Sequence, residues 1–121
     1  MTLSDLKRRF LEYLEIEKGR SVRTVENYDH YLTRFITYVK HDDPKKLSET
    51  EIREYRLWLN RQPGTKIGRV TETLKRKTQN YHLIALRAFF KYIRKRGVQG
   101  YDPERIELAK TSQRELDLIS E

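Results

Sequence analysis

The sequence predicts an all-α domain, and three observations carry that expectation. Apolar residues recur at helical spacing along most of the chain. Serines and glycines stand where helices start and stop. No segment sustains the two-residue alternation of a half-buried strand. At 121 residues the chain suffices for one domain with a modest core, not for two that each bury their own apolar surface. The expected organisation is a compact bundle of four or five helices over residues 1–110, followed by a linker over residues 111–121.

The first helix is read from Ser4 as N-cap, through Leu6, Phe10, Tyr13 and Leu14 on one face, to a stop at Gly19. The second opens at Ser21 and presents Val25, Tyr28, Leu32, Phe35, Ile36 and Val39, a three-then-four spacing that makes one apolar stripe. Ser48-Glu49-Thr50-Glu51 opens the third as a capping box, in which Ser and Glu satisfy each other's backbone amides; Ile52, Tyr55 and Leu59 follow. Trp58 reads as half-buried packing. Gln62-Pro63-Gly64 ends that helix, and residues 63–73, PGTKIGRVTET, read as an exposed, mobile loop with Lys66 and Arg69 available to an anion. The fourth helix is placed at Lys77–Arg96, with Leu83, Leu86, Phe89, Phe90 and Ile93 inside and Gly97 closing it. A short segment with Ile106 and Leu108 follows Asp102-Pro103, and TSQRELDLISE is too poor in apolar residues to pack as a further helix.

Charge is unevenly distributed along the chain. The formal net charge is +8, and residues 61–110 account for it with 13 basic against 4 acidic side chains. Such an excess favours a polyanionic partner. Two cationic clusters compete for that role. Arg94-Lys95-Arg96 stands at the carboxyl end of the fourth helix, where cations complement the dipole, so the helix itself explains it. Lys75-Arg76-Lys77 stands at the amino end, where the dipole disfavours each cation by about 0.3 to 1 kcal/mol. A cluster placed against its helix is the better candidate for function. Free N–H groups at a helix start point at anions, and adjacent cations make that start a phosphate seat.

The second helix begins in a comparable way, with Arg20-Ser21-Val22-Arg23-Thr24 and then Asn27-Tyr28; Thr24 with Asn27 parallels Thr78 with Asn80. Asn at such a place pairs with adenine in a major groove, bonds a phosphate, or serves capping.

Together these segments resemble the core-binding domain of tyrosine recombinases, the phage integrase and Xer group. The likeness runs over residues 3–110. It rests on Ser21-x-x-Thr24-x-x-x-Tyr28 with Phe35, on Thr78-x-Asn80 followed by Leu86-Arg87-x-Phe89-Phe90, and on Asp102-Pro103 where the family usually has Asn-Pro. The resemblance implies a SAM-like bundle on one face of duplex DNA, with the amino ends of the second and fourth helices approaching the major groove. Matched position by position, the implied DNA-binding residues are Arg23, Thr24, Asn27, Lys75, Arg76, Lys77, Thr78 and Asn80. Arg87 matches a frequent family Arg but equally suits a bridge between helices. The implied partners are double-stranded DNA and other recombinase protomers, assembled as a tetramer on DNA.

Catalysis is not expected of these residues. His30, His41 and His82 are followed three places on by Thr33, Pro44 and Ala85, so the His-x-x-Arg pair of the recombinases is missing and none of the eight tyrosines stands out as an activated nucleophile. The chain is read as a domain excised ahead of its catalytic partner. Three scattered histidines and no cysteine give no metal-ligand spacing and no disulfide, and no cofactor or small-molecule substrate is implied. No run approaches the roughly 18 apolar residues of a membrane span, and a chain without cysteine suits a reducing cytoplasm. The alternative function is a helical protein-interaction module whose charge serves only solubility; an RNA-binding helical domain is a third.

Overall fold

The computed structural model describes residues 1–67 and 70–110. Its packed body is all-α: α1 (Leu3–Ile16), α2 (Val22–Val39), α3 (Glu49–Asn60) and α4 (Arg76–Lys95), with 3-10 turns at Pro44–Lys46 and Pro103–Arg105. The apolar stripes that predict the helices are the faces they bury. Leu6, Phe10 and Leu14 of α1 meet Leu32, Phe35 and Val39 of α2, Ile52, Tyr55 and Leu59 of α3, and Leu83, Leu86, Phe89, Phe90 and Ile93 of α4 in one cluster, which Leu47, Tyr101 and Ile106 complete. Aromatic rings link the elements. Phe10 lies 5.6 Å from Phe89 and 6.1 Å from Tyr28, and Phe35 lies 5.0 Å from Tyr55 and 6.0 Å from Phe90, centroid to centroid.

Local chemistry moves several boundaries. Thr2, not Ser4, caps α1, its hydroxyl accepting from the Asp5 amide at 3.0 Å. Ser4 instead donates from its backbone N–H to Asp42 Oδ1 at 2.9 Å, which ties the start of α1 to the connection between α2 and α3. Lys7 binds Asp29 at 2.8 Å and Thr33 at 2.9 Å, clasping α1 to α2. Ser48 caps α3 through the Glu51 amide as expected, but the box is not reciprocal: the Glu51 carboxylate is taken by His41 Nε2 at 2.9 Å. A charged or polar ring within reach outcompetes a return bond to a backbone amide. α4 begins one residue earlier than expected, at Arg76, and ends at Lys95 with Gly97 just beyond in the left-handed region at φ 79°. Near Asp102 the Asn-Pro-like turn is explained by capping: the Asp102 carboxylate accepts from the Glu104 amide at 3.0 Å and from Arg94 at 2.6 Å.

Residues 63–73 are not the loop expected. β1 (Pro63–Ile67) and β2 (Val70–Thr73) pair antiparallel, with Ile67 opposite Val70, Lys66 opposite Thr71 and an irregularity between Pro63 and Lys66. The physical reason is in the composition. Thr65, Ile67, Val70, Thr71 and Thr73 are β-branched, the type that suits an extended pleated backbone, and only two residues join the strands. The glycines and proline that signalled a loop mask strands too short for periodicity to reveal.

The Tyr55 hydroxyl is fully enclosed and finds no hydrogen-bond partner among the described residues, and burial pushes its pKa well above the ordinary tyrosine value. An unpaired buried hydroxyl costs about 1 to 3 kcal/mol. Tyr55→Phe, which removes that oxygen and keeps the ring between Phe35 and Trp58, is therefore expected to leave the unfolding free energy unchanged or raise it by up to about 1 to 3 kcal/mol, as read from urea denaturation.

Candidate nucleic-acid interface

The start of α4 is unusual in having a cation where a cap belongs. Lys75 is the N-cap residue and no side chain accepts from the first-turn amides. Lys75, Arg76 and Lys77 are exposed, and the lysines form no ion pair among the described residues. Free N–H groups, a positive dipole end and three cations thus coincide on an accessible surface. Thr78 lies inside the first turn and is not the cap; its carbonyl accepts from His82.

Gln79 and Asn80, the next residues along the helix, hold that turn in place. Gln79 is buried and donates to Asn60 Oδ1 at 3.0 Å and to the Leu74 carbonyl at 2.8 Å, pinning α4 to the end of α3. Asn80 is only 9% exposed, and both polar atoms of its amide are bonded: Nδ2 donates to the Ala109 carbonyl at 2.8 Å and Oδ1 accepts from the Ala109 amide at 2.7 Å. This side chain faces the interior of the domain. The Arg76 guanidinium reaches the Lys110 carbonyl at 3.2 Å.

α2 starts differently. Ser21 caps it, accepting from the Thr24 amide at 3.2 Å, and the Ser21 and Thr24 hydroxyls bond at 3.0 Å. Thr24 is thereby occupied in capping chemistry, while Arg23 and Asn27 are exposed. The two helices meet along their middles: Tyr31 lies 4.4 Å from His82 and Phe35 lies 6.0 Å from Phe90, ring to ring. Burial pushes the Tyr31 hydroxyl up from its ordinary pKa, and the neighbouring Tyr81 and Tyr28 hydroxyls add to that shift. The first turns of α4 and the middle of α2 are thus joined through the Tyr31–His82 ring contact.

A family model, that of the phage integrase N-terminal SAM-like domain, matches residues 8–97. The chain belongs to this family. Tyrosine recombinase XerD of Oceanobacillus iheyensis is 28% identical over 117 residues, covering 93% of this chain and 36% of the relative. Tyrosine recombinase XerC of the same organism is 26% identical over 121 residues, with 93% and 37% covered, and tyrosine recombinase XerC of Anoxybacillus flavithermus is 27% identical over 98 residues, with 78% and 29% covered. The chain thus spans about a third of the length of the curated relatives it matches. No solved structure gives a significant match.

Within this SAM-like domain Arg87 is half-buried in the middle of α4 and forms no ion pair among the described residues. Lys66 lies on β1, and Arg69 lies outside the described residues, as do residues 111–121. Sequence reasoning passed over Tyr81. It is 42% exposed, four residues after Lys77 and so on the same face of α4. The signal was available: an aromatic immediately following Asn80, off the apolar stripe.

His82 also escaped notice as more than a scattered histidine. It is 2% exposed, with Nδ1 at 2.8 Å from the Thr78 carbonyl and Nε2 at 3.4 Å from Arg34 Nη1. A carbonyl only accepts and a guanidinium only donates, so the partners select the neutral ring with its proton on Nδ1. Burial lowers its pKa; the Thr78 bond opposes that, and the charges of Arg34 and His30 reinforce it. Those two, with Tyr31, are the α2 groups that face the ring. An unfolded histidine takes up its proton near pH 6.5 while the folded ring resists, so stability is fully present above that pH and is lost as pH falls below it. His82→Gln is expected to flatten the decline in melting temperature between pH 7 and 5; an equal decline in both proteins would assign it to other groups.

Proposed function

We propose that this domain grips duplex DNA on behalf of a site-specific tyrosine recombinase, with the amino ends of α2 and α4 against the DNA and phosphates as the main contact. The observation that carries the reading is the uncapped, triply cationic start of α4. A helix start with free amides and no acidic neighbour is a poor place for three cations unless an anion joins them. Lys75, Arg76, Lys77 and Thr78 with the Tyr81 hydroxyl supply phosphate contacts from α4, and Arg23, with Thr24 and Asn27 beside it, supplies them from α2. The Tyr31–His82 contact, which joins α2 to α4 one residue beyond the exposed Tyr81, favours one continuous surface. Arg87, Lys66 and Arg69 extend it as outer contacts.

The names of the relatives support the wider setting. On this reading strand breakage and rejoining belong to other parts of a parent recombinase, further protomers of it are the protein partners, and the cytoplasm that holds the DNA is its location.

Isolated residues 1–121 are expected to bind random duplex with a Kd of about 10⁻⁴ to 10⁻⁶ M and, for roughly four to six phosphate contacts, a log–log salt slope of about −4 to −5. Lys75→Ala and Lys77→Ala should each weaken every sequence alike and shrink that slope by about one unit, with thermal stability unchanged or slightly raised because an unfavourable dipole interaction is removed. Fluorescence anisotropy at several salt concentrations measures both. A slope near zero favours the protein-interaction reading, and lysine variants that lose stability yet keep binding would make the cluster part of the fold.

A further inference from the structure

The first turn of α4 is held to the last described residues of the chain by side chains that share one of its faces. Arg76 and Asn80 are four residues apart, which in a helix stacks them one above the other. Both reach the same short segment: Arg76 the carbonyl of Lys110, and Asn80 both polar groups of Ala109. That segment has few other anchors. Ile106 is buried, whereas Glu107, Leu108 and Lys110 are exposed. Its course beyond Ile106 therefore depends on the two polar ties, and chiefly on the doubly bonded amide, which is sheltered from water. A carboxamide sets a donor and an acceptor side by side on one planar group, and the short Asn side chain sets the segment close against the helix.

We propose that Asn80 is a positioning residue: it sets where the chain leaves this domain relative to the DNA-facing turn of α4, and Arg76 relays DNA contact to that exit. This inference rests on the DNA-binding reading above. Lys75 and Lys77 sit on the same turn as the two ties, so a phosphate seated there and the backbone of Ala109–Lys110 are bound to one rigid element. The Arg76 tie is the exchangeable one. It is exposed and joins a guanidinium to a neutral carbonyl at 3.2 Å, and a phosphate within reach forms the stronger, charge-assisted bond. The Asn80 tie has no such competitor and stays. A recombinase built this way receives information about DNA engagement at the point where its chain passes residue 110, without any change in the helical core.

The test uses ¹⁵N-labelled residues 1–121, with and without a random-sequence duplex. In the free protein, Asn80→Ala should raise the exchange rate of the Ala109 amide by about 10-fold or more, while exchange of the Leu86 and Phe89 amides reports that the core is intact. Asn80→Asp, which keeps the acceptor but loses the donor, guards against a variant that fails to fold and should give a smaller rise. Affinity for the duplex should stay within about 2-fold in Asn80→Ala, which leaves the charge unchanged, and fall in Asn80→Asp only as far as its added negative charge accounts for, since the bulk of binding to random DNA is electrostatic. Adding DNA to the wild type should shift the Lys110 and Ala109 amide resonances, and Arg76→Ala should abolish the Lys110 shift. Unchanged Ala109 exchange in both Asn80 variants overturns the proposal, and so does a large loss of affinity with Ala109 still protected, which would make Asn80 a DNA contact. If the wild type does not bind DNA, the functional reading and the relay fail together, whereas the clamp is judged separately by exchange in the free protein.

Discussion

Gln79, Asn80 and His82 are polar side chains buried within an apolar bundle, and each is bonded to a different part of the chain: the end of α3, the segment after the Pro103–Arg105 turn, and α2. The position of α4's first turn depends on them. Three cations at a positive helix end cost about 1 to 3 kcal/mol in total at about 0.3 to 1 each, and no N-cap side chain offsets that. Gln79 and Asn80 each make two hydrogen bonds, and His82 adds the one to Thr78. At about 0.5 to 1.5 kcal/mol each, such bonds together match or exceed the dipole cost. The unfavourable end is held open by polar ties buried just behind it, and the two lysines remain outside, with no ion pair among the described residues.

The two cationic ends of α4 show how the same residue types acquire different meanings. At the carboxyl end Arg94 binds Asp102 at 2.6 Å and the dipole welcomes Lys95. That end is satisfied internally. At the amino end nothing in the described chain answers Lys75 or Lys77. The start of α2, which reads so much like that of α4 in sequence, falls between: Ser21 already occupies the Thr24 amide, so fewer free N–H groups face outward. Of the two helix starts, α4 is the one without a side-chain cap.

Helices were legible because each buries a stripe whose spacing is set by 3.6 residues per turn, and the stripes on Leu6–Leu14, Leu32–Val39 and Leu83–Ile93 are the observed core. The Lys75 cluster was legible because an electrostatic rule runs against it. The rest turned on partners distant in sequence. Glu51 completes a capping-box pattern, yet His41, ten residues earlier, claims its carboxylate. Asn80 looks the same in sequence whether it caps, reads a base or clamps a strand of backbone; the Ala109 peptide that decides the matter is 29 residues away and, being backbone, leaves no residue-type signature. The hairpin at Pro63–Thr73 was hidden by its shortness, since four or five residues give periodicity too little length to register.

On the proposed DNA-binding reading, the inward turn of Asn80 changes what kind of DNA reader the domain would be. Of the two asparagines singled out by sequence, Asn27 alone is exposed, and the remaining candidates on α4 are cations, Thr78 and Tyr81. A bidentate side-chain pair to a base edge is worth about 1 to 3 kcal/mol of discrimination, whereas a lysine at a phosphate adds affinity to every sequence alike. A surface with one exposed amide and several cations would, on that reading, be weighted toward grip and register over sequence choice. Guanidinium groups are the exception, since Arg23 or Arg76 can pair with guanine in two bonds. Arg76 holds Lys110 through Nη1 alone and a guanidinium carries five N–H donors, so on the proposed reading a base contact and the tie to the domain's exit would draw on the same group. Under the proposal, recognition and the placement of that exit would share one side chain.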